Sequence, residues 1–273
     1  MPDNIETPEK TNKKIYSDVT LLITHFNRST SLRRLLARFD ELGFAFGEVV
    51  VADGGSKPDH LETVFELEKK HKFKLLTTDV NYGLGHTINS GQNAATKPYI
   101  LYVQEDFVPK PAFVSALTDG LEIMEQEKTW DIVRFYSFPW AKFPYLKKYK
   151  KGFSEMRFSL SPIYTNHHKF YMYSDHPHLK RKTYPEKFGN YVESIHGDVT
   201  EMAMCKTFLK KQGKGLYFDD YTALFDHINS EDEPGLFRPI NEKNKKYRHN
   251  PLLYKPYLKY KTFRETVRYL LDI

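Results

Sequence analysis

The sequence predicts an α/β fold in which a mostly parallel β-sheet is flanked by helices. Three observations over residues 18–130 support this prediction: short, buried β-rich runs, amphipathic helices between them, and polar clusters directly after the strands. Strands that alternate with helices imply crossover connections and a parallel sheet. Binding sites on such sheets lie at the carboxyl ends of the strands. We therefore expect the polar clusters to meet at one edge of the sheet.

The predicted elements follow one another in a regular order. We expect strands at 18–24, 48–52, 73–77 and 99–103 and helices at 29–42, 61–70, 85–96 and 113–127. The helix at 29–42 begins with three candidate capping residues, Ser29, Thr30 and Ser31. Regularity breaks over 134–191, which is irregular and rich in aromatic residues and histidine. It returns with a helix at 199–212 and strands at 215–218 and 221–225.

Composition restricts the class of protein. With 40% hydrophobic and 15% aromatic residues, the chain of 273 residues is globular rather than disordered. No apolar run reaches the ~18–20 residues that span a bilayer, and no secretory signal is recognisable. A single cysteine, Cys205, excludes an intramolecular disulfide framework. These features lead us to expect a cytoplasmic location.

The positive charge is concentrated at the C-terminal end. The net charge is +6, and residues 241–273 hold nine basic and three acidic residues, so the rest of the chain is balanced. This distribution makes nucleic acid an unlikely partner for the whole protein and indicates a neutral domain with a basic appendage. Basic residues interleaved with tyrosines are typical of segments that contact an anionic membrane surface. The alternatives are a solvated helix packed on the domain and a nucleic-acid patch.

Four polar clusters follow the predicted strands. They are, in order, 24–28 (THFNR), 52–56 (ADGGS), 81–91 (NYGLGHTINSG) and 104–106 (QED). The acidic pair Glu105-Asp106 is costly to bury unless its charges have a partner, and a divalent cation on a diphosphate is one such partner. The alternative is a solvated pair at the end of a strand. Similarly, Asp53 lies either in a ligand site or in an ordinary capped turn.

The cluster at 81–91 is a glycine-rich turn into a helix, which can receive an anion at the helix N-terminus. In combination, the order and spacing of the four clusters resemble the nucleotide-sugar-binding half of family 2 glycosyltransferases of the GT-A fold, which is Rossmann-like. The resemblance is strong over 18–130, weakens over 134–195 and returns in outline over 196–229. Two departures are Gln104, where an acid is common in the family, and Ile88, where arginine is frequent.

The resemblance implies a division of the chain into four parts. They are a flexible N-terminal tail (1–17), a nucleotide-sugar-binding half (18–130), an acceptor-binding and catalytic half of the same domain (131–240) and a basic, Tyr-rich C-terminal segment (241–273). The irregular aromatic region would supply an acceptor pocket, because sugar rings stack on tyrosine and tryptophan. An aromatic core is the alternative. The four histidines between 167 and 178 lack the ligand spacing of a zinc site.

The resemblance also implies roles for individual residues. Asp106 would bind Mn²⁺ or Mg²⁺ on the donor diphosphate, and Glu105 would lie near the ribose or the donor sugar. Thr24 and Phe26 would lie beside the nucleobase, with Asp53 hydrogen-bonded to it. The remaining residues expected in the donor site are Asn27, Arg28, Gly83 and Gly85.

An inverting transfer also needs a general base. Asp198 is the better match to the family position, and Glu201 is the fallback; the alternative is that the two residues form a capping box. His227 would complete the metal shell or contact the diphosphate, unless it is structural.

We therefore predict a metal-dependent, inverting glycosyltransferase of cell-surface polysaccharide or glycoconjugate biosynthesis. It would use a UDP- or GDP-sugar and a glycan or lipid-linked saccharide acceptor, in the cytoplasm at the inner face of the membrane. The alternative is a non-catalytic relative that binds a glycan or a nucleotide.

Overall fold

The computed structural model describes residues 13–229, 233 and 251–271. Within them the strands are β1 (Lys14–His25), β2 (Phe44–Asp53), β3 (Lys74–Leu76), β4 (Tyr99–Gln104), β5 (Phe107–Pro109), β6 (Ile132–Arg134), β7 (Leu146–Lys148), β8 (Phe153–Met156), β9 (His178–Arg181), β10 (Gly215–Phe218) and β11 (Phe225–His227). The α-helices are α1 (Ser29–Glu41), α2 (Pro58–His71), α3 (Leu84–Ala94), α4 (Ala112–Gln126), α5 (Tyr184–Phe188), α6 (Gly197–Lys210) and α7 (Pro251–Leu271). Short 3₁₀ turns occur at Pro139–Ala141 and His167–Phe170.

A large sheet forms the centre of the fold. Its strand order is β3-β2-β1-β4-β9-β6-β10-β8-β7, and seven of these nine strands run in the same direction, with β8 and β9 reversed. A separate antiparallel pair is formed by β5 and β11. The predicted fold class, an α/β fold with a mostly parallel sheet flanked by helices, is confirmed.

The central strands are apolar on both faces because helices cover both sides of the sheet. On β1, Leu21 and Ile23 point into one core layer, which also holds the buried residues of α1 and α4. Leu22 points into the other layer, which holds those of α3, α5 and α6. The alternation along one strand therefore supplies both halves of the core.

Several predicted boundaries are wrong, and β2 begins at Phe44 rather than at 48. β1 begins at Lys14, which pairs with Phe44, so residues 14–17 belong to the sheet and not to the N-terminal tail. Residues 1–12 lie outside the described part. The strand predicted at 221–225 is also wrong: residues 221–224 form turns, and β11 begins at Phe225. The strands β6 to β9, in the segment without periodicity, span only three or four residues each, too few to show an alternation.

The N-terminus of α1 is capped from a distant part of the chain. Its N-cap residue is Arg28, without a side-chain cap, so the predicted local caps are wrong. The carboxylate of Glu233 instead accepts hydrogen bonds from the backbone N–H groups of Thr30 (2.8 Å) and Ser31 (2.9 Å). These are two of the donors that a helix leaves unsatisfied at its start.

The described part of the C-terminal segment is the helix α7, and residues 241–250 lie outside the described part. The ring of Tyr269 packs at 5.7 Å from that of Phe158 and 5.8 Å from that of Phe170, and the Thr262 hydroxyl donates a hydrogen bond to the Thr165 carbonyl. α7 therefore packs against the irregular aromatic region. Among the described residues, no helix is both long and apolar enough to cross a bilayer.

Candidate active site

A cavity of about 1960 Å³ opens at the carboxyl ends of β1, β2 and β4. The strand register explains its position, because His25 lies opposite Asp53 and Thr24 lies opposite Gln104. All but two of the predicted site residues line this cavity, the exceptions being Asp53 and Gly85. Those that line it are Thr24, Phe26, Asn27, Arg28, Gly83, Glu105, Asp106, Asp198, Glu201 and His227.

The acidic pair at the end of β4 is buried and neutralised by a neighbouring arginine. Glu105 and Asp106 are 7% and 6% exposed, so the pair is not solvated. Arg28 donates to Asp106 Oδ2 at 2.7 Å and to Glu105 Oε1 at 3.2 Å. His227 Nε2 lies 3.0 Å from the same Asp106 oxygen, because β11 pairs with β5 and places His227 opposite Phe107.

The two carboxyl groups differ in their tendency to ionise. Burial raises the pKa of Glu105, and the adjacent Asp106 charge raises it further. Burial also acts to raise the pKa of Asp106, but its hydrogen bond with His227 and the Arg28 charge outweigh burial and lower that pKa. Asp106 is therefore the ionised member of the pair and the better ligand for a cation.

The residues around Asp106 fit a divalent cation. Asp106 Oδ1 is buried and has no hydrogen-bond partner among the described residues. His227 Nε2 lies 3.0 Å from Asp106 Oδ2 and would be the second ligand. The described residues contain no group of three or more His, Cys, Asp or Glu arranged around an ion. The protein would thus supply one or two ligands, as is usual where phosphates and water complete a Mg²⁺ shell.

Asp53 organises the turn after β2 through hydrogen bonds to both of its oxygens. Oδ1 lies 2.7 Å from His25 Nδ1 and accepts from the Ser56 hydroxyl at 2.5 Å, while Oδ2 accepts from the Thr77 hydroxyl at 2.9 Å and from the backbone N–H groups of Gly55 and Ser56. Although burial acts in the opposite direction, the hydrogen bonds from His25 and Ser56 lower the pKa of Asp53 to about 2.

Asp53 borders a second cavity of about 590 Å³ rather than the main one, and Thr87 lines both. Contact of Asp53 with a nucleobase stays a prediction. The donor roles of Thr24 and Phe26 also stay predictions.

Asn27 connects the loop after β1 to the loop after β2. Its φ of 53° lies in the left-handed region that asparagine tolerates, and its Oδ1 accepts a hydrogen bond from the backbone N–H of Lys57 at 2.7 Å.

The two glycines before and within α3 are explained by contact with another part of the chain. A Cβ on Gly83, where φ is 89°, would lie 2.0 Å from the Ser194 carbonyl oxygen, and one on Gly85 would lie 2.2 Å from that of Val192. Asn89 fixes the same segment by hydrogen bonds of 2.9 Å to both the N–H and the carbonyl of Tyr191. The glycine-rich motif thus positions the segment that leads into α6, and Gly83 alone of the two glycines faces the main cavity.

Both candidate bases lie in the first turns of α6 and line the main cavity. Asp198 is exposed, whereas Glu201 accepts a hydrogen bond from the Ser174 hydroxyl at 2.9 Å. The capping-box alternative is wrong, because the N-cap of α6 is His196 and no side chain caps the helix. Which carboxylate acts as the base stays a prediction.

Two cavity residues were not singled out from the sequence, and a third, Trp140, was expected only as one of the aromatic residues of the acceptor region. His25 is the partner of Asp53. Asp175 accepts a hydrogen bond from the Gln104 side chain at 3.3 Å, which brings a further carboxylate to the end of β4. Trp140 is 56% exposed and stacks on Phe138 at 4.6 Å. His25 lies within a quoted motif and Trp140 lies within the predicted acceptor region, whereas nothing in the sequence distinguishes Asp175.

The fold agrees with the comparisons to known proteins. The family model described as Glycosyl transferase family 2 matches residues 20–184, which is more than half of the chain. The chain therefore belongs to glycosyl transferase family 2, as the motifs indicated.

Curated relatives match only part of their own length. The chain is 26% identical over 90 residues to a poly-beta-1,6-N-acetyl-D-glucosamine synthase of Staphylococcus epidermidis, covering 33% of this chain and 22% of the relative. Among solved structures, S. aureus TarS 1-349 in complex with UDP-GlcNAc aligns over 90% of this chain and 71% of its own, with a TM-score of 0.59 and 14% identity.

A second solved structure is the mannosyltransferase PcManGT from Pyrobaculum calidifontis in complex with GDP-Man and Mn²⁺. It aligns over 94% of this chain and 73% of its own, with a TM-score of 0.54 and 14% identity. At this identity the two structures establish the fold, which is GT-A.

Proposed function

We propose that this glycosyltransferase is metal-dependent and transfers a sugar with inversion from a nucleotide-diphosphate donor to a saccharide acceptor. The observation that carries the proposal is that one cavity holds two sets of groups. The ionised Asp106 follows β4 with His227 of β11 beside it, and two carboxylates lie at the start of α6. Donor activation and acceptor deprotonation need these two sets in one space.

The donor would be a UDP- or GDP-sugar. The similar structures, whose names include UDP-GlcNAc and GDP-Man, support this class of donor but do not distinguish between the two nucleotides. Asp106 and His227 would hold Mn²⁺ or Mg²⁺, which offsets charge developing on the leaving diphosphate. Arg28, already 2.7 Å from Asp106, would orient that carboxylate. Glu105 would lie near the ribose or the donor sugar.

Acceptor activation is assigned to Asp198. Its carboxylate would take the proton of the acceptor hydroxyl while the hydroxyl oxygen attacks the anomeric carbon from the face opposite the diphosphate. The new glycosidic bond forms as the bond to the diphosphate breaks, so the anomeric configuration inverts. Glu201 is the second candidate for this role, and its hydrogen bond from Ser174 gives it a fixed orientation.

The acceptor would be a glycan or a lipid-linked saccharide. The similarity to a poly-N-acetylglucosamine synthase supports a role in polysaccharide biosynthesis. Trp140, exposed in the cavity, offers a flat surface for a sugar ring. We further propose that the enzyme works in the cytoplasm, at the inner face of the membrane.

Support for membrane contact comes from the exposed apolar side chains of α7. They are Tyr260, Phe263, Leu270 and Leu271, each 61–69% exposed. Asp in place of Phe263 and Leu270 should weaken cosedimentation with vesicles that contain anionic lipid. The matched control is Ile163→Asp, a site 77% exposed elsewhere on the surface. Equal loss in the control, or no loss in the α7 variant, would count against membrane contact by α7.

Donor binding is tested by thermal shift with UDP, GDP and their sugars, each with and without Mn²⁺. The wild type should be stabilised by a nucleoside diphosphate only when metal is present. Asp106→Asn should lose this response. Asp226→Asn, on the same strand as His227 but with a 56% exposed side chain, should keep it. An unchanged response in Asp106→Asn would remove the metal role.

Catalysis is tested separately with Asp198→Asn and Glu201→Gln. The variant of the base should keep the metal-dependent thermal shift and lose turnover by at least 10²-fold. Donor binding without transfer or hydrolysis by the wild type, across a panel of nucleotide sugars, would favour a non-catalytic relative.

A further inference from the structure

The carboxylate of Asp53 is fully occupied by hydrogen bonds from the protein itself. Oδ1 accepts from the His25 ring and the Ser56 hydroxyl, and Oδ2 accepts from the Thr77 hydroxyl and from the N–H groups of Gly55 and Ser56. A carboxylate offers about four lone-pair positions, and all of them are used by these donors. The contact with a nucleobase that the resemblance implies would have to displace one of these bonds.

His25 connects Asp53 to Arg28. The backbone N–H of Arg28 donates to His25 Nε2 at 3.2 Å, so this ring nitrogen carries no proton. The ring proton is therefore on Nδ1, which donates to Asp53 Oδ1 at 2.7 Å. The side chains of His25 and Asp53 are both fully buried, so water does not compete for these bonds. Asp53 thus fixes the tautomer in which His25 can accept a hydrogen bond from Arg28.

Arg28 carries this connection to the expected metal site. It is the N-cap residue of α1, and its guanidinium donates to Asp106 Oδ2 at 2.7 Å. The residue before it, Asn27, is also tied to the turn after β2, because its N–H donates to the Ser56 hydroxyl at 2.7 Å. The loop between β1 and α1 is therefore held at successive residues. A change in the bond between His25 and Arg28 would shift the group that orients Asp106.

We propose that Asp53 and His25 are positioning residues, which hold Arg28 and through it Asp106 in the orientation that binds the metal-bound diphosphate of the donor. This inference rests on the proposed function, because it concerns the donor site of the same reaction, and it replaces the contact of Asp53 with a nucleobase. Groups that orient a metal ligand from behind change metal affinity or activity by about 10–100-fold. Asp53 and His25 should therefore affect the binding of every metal-bound diphosphate, whichever nucleoside it carries.

Substitution of Asp53 breaks the connection by changing the tautomer of His25. In Asp53→Asn only one oxygen remains, and the three donors around Oδ2 require it. The amide nitrogen then faces His25 and donates to Nδ1, so the ring proton moves to Nε2 and repels the N–H of Arg28. The matched control is Thr77→Val, which removes a different hydrogen bond of Asp53, of 2.9 Å, and leaves the one from His25 in place.

Substitution of His25 separates its two bonds. His25→Asn places an amide near the position of Nδ1, so it can keep a donor for Asp53 but loses the acceptor for Arg28. His25→Gln has a longer side chain that reaches the position of Nε2, so it can keep that acceptor. Each variant keeps one of the two bonds, and the comparison decides the matter even if Asp53→Asn does not fold.

The test is isothermal titration calorimetry of the full chain with the Mn²⁺ complexes of UDP, GDP and pyrophosphate. Pyrophosphate has no nucleoside, so it measures the metal end of the donor site alone. Asp53→Asn and His25→Asn should each weaken pyrophosphate binding by about tenfold or more, and should weaken binding of the preferred nucleotide by the same factor. His25→Gln should lose less than about threefold, and Thr77→Val should bind as the wild type does. Urea unfolding verifies that each variant is folded.

Four results would overturn the positioning role. A loss confined to the nucleotides would mean that Asp53 contacts the nucleobase, and unchanged binding in every variant would mean that the two residues serve stability alone. Equal losses in His25→Asn, His25→Gln and Thr77→Val would indicate a general loss of packing. A wild type that binds a nucleotide but not pyrophosphate would show that the metal end has no affinity of its own to maintain.

Failure of the proposed function gives a different result. A wild type that binds Mn²⁺-pyrophosphate, with the expected losses in Asp53→Asn and His25→Asn, but binds neither nucleotide would retain the positioning role and refute the nucleotide-sugar donor. The two failures are therefore distinguishable.

Discussion

Removal of the Arg28 side chain should destabilise the protein strongly, because it leaves two buried carboxyl groups without their cation. The side chains of Arg28, Glu105 and Asp106 are 10%, 9% and 8% exposed. Breaking a buried ion pair by deleting one partner costs about 3–5 kcal/mol. Glu105, whose pKa is already raised by burial, can take up a proton and relieve part of this cost. We therefore expect Arg28→Met to lower the free energy of unfolding by about 3 kcal/mol.

Urea unfolding at pH 7.5 in the presence of EDTA measures this effect without a contribution from metal. The matched control is Arg157→Met, because the Arg157–Glu155 pair has side chains that are 47% and 20% exposed. It should change stability by less than about 1 kcal/mol. The double variant Arg28→Met/Asp106→Asn should recover part of the loss, since the ionised carboxylate is removed together with its partner.

The reasoning would be refuted by a loss below 1 kcal/mol in Arg28→Met. It would also fail if the double variant were no more stable than the single one. Either result would mean that the acidic pair does not depend on Arg28 for its burial, and that another group neutralises it.

Three further predictions concern stability. The pKa of Asp53 falls from 3.8 to about 2 on folding, so about 2 kcal/mol of stability is present above pH 4 and is lost as the pH falls toward 2. Urea unfolding across this pH range should show that Asp53→Asn lacks this loss of stability. Gly85→Ala should lower the free energy of unfolding by about 1–3 kcal/mol, because the added Cβ would lie 2.2 Å from the Val192 carbonyl oxygen. The control is Gly197→Ala, whose Cβ would lie 3.5 Å from its nearest neighbour and which should cost under about 0.5 kcal/mol. Thermal or urea unfolding measures both. Burial lowers the pKa of Lys180 from 10.5 to about 7, so the unfolded chain holds one more proton than the folded protein between these pH values. Stability should therefore rise with pH from about 7 to 10, and the rise should be absent in Lys180→Met. A rise of equal size in Lys180→Met would count against this account.

The sequence was sufficient to predict where the site lies because its information is local. Each polar cluster directly follows a strand, and parallel strands end at one edge of a sheet, so the clusters after β1 and β2 were expected to meet there, where the register places His25 opposite Asp53. The same holds for the acidic pair after β4. These predictions needed no knowledge of side-chain contacts.

Contacts between distant segments could not be predicted in this way. Glu233 caps α1 from about 200 positions away, and the carbonyl groups of Val192 and Ser194 fill the space beside Gly85 and Gly83. A glycine-rich turn that admits an anion and one that admits another backbone have the same sequence features, because both need the absence of a Cβ. Only the fold distinguishes them.

The basic C-terminal helix shows how one composition can serve two surfaces. Successive helical residues are about 100° apart, so Phe263 and Leu270 lie about 180–200° around α7 from Lys261. Lys261 and Arg268 line the cavity, whereas Phe263 and Leu270 are exposed. The net charge is therefore not by itself the membrane contact: Lys261 and Arg268 line the cavity, and the exposed apolar row on the opposite side of α7 is the part that we propose meets the membrane. We therefore expect Phe263→Asp to weaken cosedimentation with vesicles that contain anionic lipid, and Lys261→Glu to leave it unchanged. An equal loss of vesicle binding in both variants would mean that the two sides of α7 do not act separately.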